Sequence, residues 1–118
     1  MTDRVLTVAL HRRDDRAWIL EVSGELDQHN ASQLRAALDE LPLTGGGLLV
    51  ANLAGLAYCD STGITVLVNA YQRAARTGAV LMLAGLRPEL ARIFEIAGLH
   101  QLFSFQPTVE AAVRAAQG

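Results

Sequence analysis

The sequence predicts an α/β domain with a mixed, mostly parallel sheet of about five strands and about four helices. Three observations carry this expectation. Two strand-like segments at the start are followed by strand and helix in repeated alternation. The residues are 51% apolar but poor in aromatics, with Ala, Leu, Val and Gly dominant, which suits small-residue helices packed on an aliphatic sheet. A chain of 118 residues is also long enough for one core without staples, because a folded body of this size buries roughly 65% of the surface its unfolded chain exposes. Residues 1–118 are therefore read as a single domain, with no linker or low-complexity tract inside it.

The first strands are "VLTVALH", residues 5–11, and "AWILEVSG", residues 17–24, joined as a hairpin by the charged tip "RRDDR". Trp18, Leu20 and Val22 alternate and mark one face of the sheet. Asn30 is placed to cap a helix with Gln33 at its third position, an arrangement similar to a capping box, and Leu34, Leu38 and Leu41 fall on one side of that helix. Pro42 and the "TGGG" run at 44–47 end it. "LLVANL", residues 48–53, is apolar almost throughout, as a strand covered on both faces should be. A second helix follows, with Ile64, Leu67, Val68, Tyr71, Ala74 and Ala75 at helical spacing and Gly78 as its stop. Its β-branched residues Ile64, Thr65, Val66 and Val68 lower helix propensity, so packing must hold it. "AVLMLAGL", residues 79–86, is a buried strand; Pro88 opens a helix bearing Leu90, Ile93, Phe94 and Ala97, closed by Gly98. "QLFSF", residues 101–105, is a short last strand, and Pro107 and Thr108 start a final helix with Val109, Ala112, Val113 and Ala116 inward.

Several functions are disfavoured by composition. A net charge of −2 with scattered basic residues offers no general attraction to nucleic acid or to anionic lipid. Asp3 and Arg4 precede only a short mixed run, and no apolar stretch approaches the roughly 20 residues of a membrane span, so a cytoplasmic protein is expected. The single cysteine, Cys59, excludes an internal disulfide and fits a reducing compartment. His11, His29 and His100 lie in separate segments without the paired spacing of a zinc site, so neither metal nor other cofactor is expected. The glycines at 45–47 lack the Gly-Lys-Ser/Thr ending of a phosphate-binding loop.

The chemically suggestive stretch is Asp60-Ser61-Thr62-Gly63, directly after a buried strand. Aspartate and serine are common helix caps because their oxygens accept from first-turn N–H groups. The same junction also gathers backbone donors and the positive end of the helix dipole, which favours an anion or a phosphorylated hydroxyl. Both uses draw on the same residues. A nucleophilic serine would need a general base and an oxyanion hole; no Gly-x-Ser-x-Gly elbow is present and no histidine is placed beside Ser61 by the sequence. Cys59 likewise has no evident base, so it is read as a small hydrophobe, and the chain is read as a non-enzyme.

"SGELD" at 23–27, "DSTGITVLV" at 60–68 and "AGLHQLF" at 97–103 together resemble the anti-sigma-factor antagonists of the STAS family, over roughly residues 5–113 and in the family's order. The resemblance implies a single STAS-like domain. It also implies an anti-sigma-factor antagonist that, unphosphorylated, binds an anti-sigma factor that is also a serine kinase, and so releases a sigma factor. Phosphorylation of the serine after the aspartate, Ser61 here, would end that binding, and a serine phosphatase acting on the phosphorylated form is a further partner that the likeness allows. Asp60 and Gly63 would shape the junction, Thr62 would support the helix start or the neighbouring surface without being the main acceptor, and Asp27, His29 and Asn30 would form an adjacent contact loop, all six as partner-binding residues; "GELDQHN" also reads as a plain polar strand-to-helix connection. Where relatives often carry Leu-Gly after the motif glycine, this chain has Ile64-Thr65.

The physical size of such a switch follows from charge. A phosphate adds about −1.5 to −2 charges. Opposed to a carboxylate about 6 Å away, a dianion costs about 1.4 kcal/mol in bulk water and about 5.5 at an effective dielectric of 20. The helix dipole returns only about 0.3–2 kcal/mol. Two other readings of the same chain are a permanent, unphosphorylated STAS binding or scaffold module in a larger signalling or lipid-transport assembly, and a small hydrolase acting through Ser61.

Overall fold

The computed structural model describes residues 5–41 and 45–117. Asp3, Arg4, Pro42 and Thr44, invoked above, lie outside the described residues.

Alternating strands and helices form the mixed sheet that the pattern calls for, with six strands rather than about five. In chain order they are β1 (Leu6–Arg12), β2 (Ala17–Leu26), β3 (Leu48–Asn52), β4 (Leu56–Cys59), β5 (Val80–Ala84) and β6 (Ser104–Gln106). The helices are α1 (Ala31–Asp39), α2 (Ser61–Arg76), α3 (Pro88–Ile96) and α4 (Val109–Gln117), with a 3-10 turn at Leu99–Gln101. The sheet order is β1-β2-β3-β5-β6; only the β1–β2 hairpin is antiparallel, and β4 pairs with β2 alone.

The additional strand exists because β2 is long enough to serve two neighbours. Its first half, Ala17 to Glu21, runs beside β3, and its last residues, Gly24 to Leu26, run beside β4, with a register shift between Gly24 and Glu25. The apolar run after residue 48 is therefore two strands, not one. Asn52 breaks it: its Oδ1 accepts from the Ala54 N–H at 3.2 Å, and the Leu56 N–H donates to the Leu53 carbonyl at 3.0 Å, closing a turn.

Alternation along the strands sorts the core into two layers. Leu20, Val22, Leu49, Ala51, Leu81 and Leu83 face α1, α2 and α3; Ala17, Ile19, Leu48, Val50, Met82 and Ala84 face α4. The helical periodicity holds in most positions: Leu34, Leu38, Leu67, Ala74, Leu90, Phe94, Ala112 and Val113 are all buried. Ala75, Ile93, Ala97 and Ala116, expected inward, are exposed, and Val66 is buried instead. Four rings, Tyr71, Phe94, Phe103 and Phe105, pack edge to face with centroids 5.6–6.1 Å apart, tying α2 and α3 to the segment that begins at the 3-10 turn.

The capping box at α1 does not form. Asn30 makes no side-chain cap; its Oδ1 accepts from the Asp27 N–H at 2.9 Å and its Nδ2 donates to the Glu25 carbonyl at 2.8 Å. Gln33 Nε2 instead donates to the carbonyl of Leu6 in β1 at 2.9 Å. Asn30 is thus held by backbone partners three and five residues before it, and Gln33 by a carbonyl of β1.

Candidate functional site

The site lies at the carboxyl ends of β2 and β4, which run parallel and deliver the chain into the 27–30 loop and into α2 respectively. In α/β sheets this end of neighbouring strands is where connections can gather to present a surface. Here two connections are stitched to each other. The Asp60 N–H donates to the Leu26 carbonyl at 3.1 Å. The Asp60 carboxylate then works in two directions: Oδ1 accepts from the Gly63 N–H at 3.0 Å, capping α2, and Oδ2 accepts from the Gln28 N–H at 3.0 Å, holding the neighbouring loop.

Ser61 is the first residue of α2 and is exposed. Its own N–H and that of Thr62 lead the helix, where no intrahelical carbonyl is available to them. Thr62 is half-buried. Thr65, one turn on, is exposed and donates its hydroxyl back to the Ser61 carbonyl at 2.9 Å, so its polar group is bound into the helix. Gly63 is buried, and the reason is contact: a Cβ there would lie 2.6 Å from Leu26 Cγ and 2.9 Å from Cys59 Sγ. Only a residue without a side chain lets the first turn of α2 seat against both strand ends.

The 27–30 loop is built around Asp27, which is 8% exposed. Its Oδ1 accepts from the N–H groups of His29 and Asn30 at 2.9 and 3.2 Å. Asp27 and Asn30 thus shape the loop from within, while Gln28 and His29 are the residues it exposes. Asp27, His29, Asn30, Asp60, Thr62 and Gly63 are brought together around Ser61 by these bonds, but only some of them face outward. Gln28 is a residue that sequence reasoning missed; its role is a backbone bond to a residue 32 positions away, for which no local pattern exists.

Replacing Asp60 by Ala removes the helix cap and the loop tie together. A lost cap costs typically about 1 kcal/mol, and the second bond adds roughly as much again. Urea denaturation is expected to show a loss of about 1–2 kcal/mol, with faster amide exchange at Gln28 and Gly63; Asp60→Asn should recover part of it.

Cys59 is buried beneath this junction, its Sγ–H donating weakly to the Asp60 carbonyl at 3.5 Å. Burial, and then the nearby Asp60 charge, push its thiol up from 9.0 to about 12. The folded protein therefore keeps a proton that the unfolded chain releases, so this contribution to stability is intact below pH 9 and is lost between pH 9 and about 12. At pH 8 alkylation by iodoacetamide is expected to be about a thousandfold slower in the native protein than in urea, read by intact mass. Among the described residues no group of three or more His, Cys, Asp and Glu is placed to hold a metal ion, and no helix is long and apolar enough to cross a membrane.

Fold and site together define a small α/β domain that displays a helix-start serine at the carboxyl ends of its strands. The chain belongs to the STAS domain family, whose model matches residues 9–112. It is 31% identical over 101 residues to the anti-sigma-B factor antagonist of Listeria monocytogenes, covering 86% of this chain and 89% of the relative. Among solved structures, an anti-sigma factor antagonist from Mycobacterium paratuberculosis superposes with a TM-score of 0.81 at 24% identity, covering 97% of this chain and 96% of that one. The Bacillus cell fate determinant SpoIIAA in its phosphorylated form superposes at 0.72 and 20% identity, covering 92% and 98%. At these identities the two structures establish a shared fold.

Proposed function

We propose that the protein is an anti-sigma-factor antagonist, a cytoplasmic, non-enzymatic regulator that acts by binding. In its unphosphorylated form it binds an anti-sigma factor that is also a serine kinase, and a sigma factor is released. Phosphorylation of Ser61 ends the binding, and a serine phosphatase restores it. The observation that carries the reading is the exposure of Ser61 at the start of α2, on a junction braced by Asp60 to two strand ends. Similarity to relatives named anti-sigma-B factor antagonists supports the role, and a structural neighbour solved in a phosphorylated form supports the chemistry.

The physical mechanism needs no refolding. Ser61 projects from a helix terminus that tolerates negative charge within this chain, and Gln28 and His29 are exposed on the loop that the Gln28 N–H ties to Asp60. A phosphate would disrupt the complex through desolvation and like-charge repulsion across the interface, by a few kcal/mol and hence roughly ten- to several-hundred-fold in affinity. Incubation of the purified chain with its cognate anti-sigma factor and ATP, followed by mass spectrometry, should place one phosphate on Ser61. An active mixture that leaves Ser61 unmodified rejects the reading.

A further inference from the structure

Thr65 has no part in the switch described above, yet it stands one turn from Ser61 on the same side of α2. Within residues 61–68 only Ser61 and Thr65 are exposed; Gly63, Val66 and Leu67 are buried, and Thr62, Ile64 and Val68 are half-buried. The Thr65 hydroxyl donates to the Ser61 carbonyl at 2.9 Å, which spends its one proton inside the helix. A β-branched side chain tied back in this way is held in one χ1 setting. Its methyl carbon, Cγ2, is therefore carried at a fixed place beside the acceptor serine. Any partner that covers Ser61 must cover this methyl as well. Four helical residues rise only about 6 Å, whereas a protein interface of standard size covers about 800 Å² of each partner, a disc of about 16 Å radius.

We propose that Thr65 is a specificity-determining residue for the partner that binds at Ser61: its methyl group enters an apolar recess of the anti-sigma factor, and that recess selects a β-branched side chain at this position. The inference rests on the proposed function and names the atom of the docking surface that discriminates between partners. An apolar recess suits Thr65 because its hydroxyl proton already has an acceptor, so covering the residue leaves no buried donor unpaired. A recess shaped to one methyl discriminates in both directions, since a smaller side chain leaves it unfilled and a longer one overfills it. Phosphorylation acts on a different atom of the same turn, so selecting the partner and dismissing it are separable. Thr65 governs which surface docks, and Ser61 governs when it leaves.

The test is isothermal titration of the purified cognate anti-sigma factor, without ATP, against the intact unphosphorylated chain and its variants at position 65. Thr65→Ser keeps the hydroxyl and deletes the methyl; affinity should fall about fourfold, the worth of one buried methyl. Thr65→Gln suits an exposed helix position but overfills the recess, and affinity should fall at least about fivefold. Thr65→Val restores a branched side chain without the hydroxyl and should recover affinity to within about twofold of the native chain. Two-dimensional 15N spectra of the free variants, altered only around the start of α2, establish that each is folded. Native affinity in both Thr65→Ser and Thr65→Gln overturns the inference, as does a loss in Thr65→Val equal to that in Thr65→Gln. Ser61→Asp, titrated in the same series, keeps the inference apart from the switch. A loss in Ser61→Asp with none at position 65 overturns the inference and leaves the switch standing. The expected losses at position 65 with none in Ser61→Asp support the inference and count against the switch, and failure of the native chain to bind overturns both.

Discussion

Gly24→Ala is expected to lower stability by on the order of 3–5 kcal/mol. Gly24 has φ of +100°, and a Cβ built on it lies 2.2 Å from the carbonyl oxygen of Val5. Both colliding groups belong to backbone regions that are already committed. The Val5 oxygen accepts from the Glu25 N–H at 3.0 Å, and the Gly24 N–H donates to the Gly55 carbonyl at 2.9 Å. Relief would require β1 to leave β2 at the point where β2 turns from β3 to β4. Set against the roughly 5–15 kcal/mol that holds a typical domain, the melting temperature should drop by roughly 10–25 °C. Gly46→Ala is the control: φ there is +83°, but nothing stands within 4 Å of the added carbon, so its cost should be only about 1 kcal/mol. Equal effects of the two substitutions would mean that the β1–β2 approach is looser than described.

Ser61→Asp, on the proposed function, is expected to weaken anti-sigma-factor binding by about three- to a hundredfold. That range is the repulsion of one added charge by a carboxylate about 6 Å away, between bulk water and an effective dielectric of 20. Ser61→Ala should bind within about twofold of the native chain, because the hydroxyl makes no bond that the junction needs and an exposed serine-to-alanine change is nearly neutral. Neither change should destabilise the fold. A carboxylate in the first turn of α2 meets the favourable end of the dipole, worth about 0.3–1 kcal/mol. Isothermal titration measures the affinities, and urea denaturation of the same samples separates lost binding from lost structure. Equal affinity of the Asp and Ala forms would instead favour a permanent binding module.

The parts of the fold legible in the sequence are those set by local chemistry. Pro88 opens α3, Thr108 Oγ1 accepts from the Ala111 N–H at 3.0 Å at the start of α4, and Asp60 caps α2, each as its residue type dictates. The nearly continuous apolar run of β3 foretold its two-sided burial. Features resting on distant partners were not legible. Asn30 and Gln33 fit a capping pattern, but Gln33 is claimed by Leu6, 27 residues earlier. β4 was hidden inside an apolar stretch, although Gly55 was a visible signal for the turn that divides it.

The site divides in the same way. Ser61 and Asp60 stood out from the strand-to-helix junction itself, and both occupy the expected positions. Asp27 and Asn30 entered the contact loop through the family resemblance; in the structure Asp27 Oδ1 accepts from the His29 and Asn30 N–H groups, and the Asn30 amide accepts from the Asp27 N–H and donates to the Glu25 carbonyl. Gly63 is confined by Leu26 and Cys59, and Gly24 by Val5. These two packing constraints give a physical reason for glycine in two of the segments that carry the family resemblance. Phe103, in the third, is 4% exposed within the ring cluster.

The decisive measurement is the affinity of the cognate anti-sigma factor for this chain carrying stoichiometric phosphoserine at position 61, titrated beside the unmodified chain at the same ionic strength. Weakening by at least ten- to several-hundredfold is expected, the lower part of the range that the repulsion of a dianion spans once solvent screening is counted, with the circular dichroism of the two forms unchanged. Matching affinities for the two forms would contradict the proposal that one exposed hydroxyl governs the partnership.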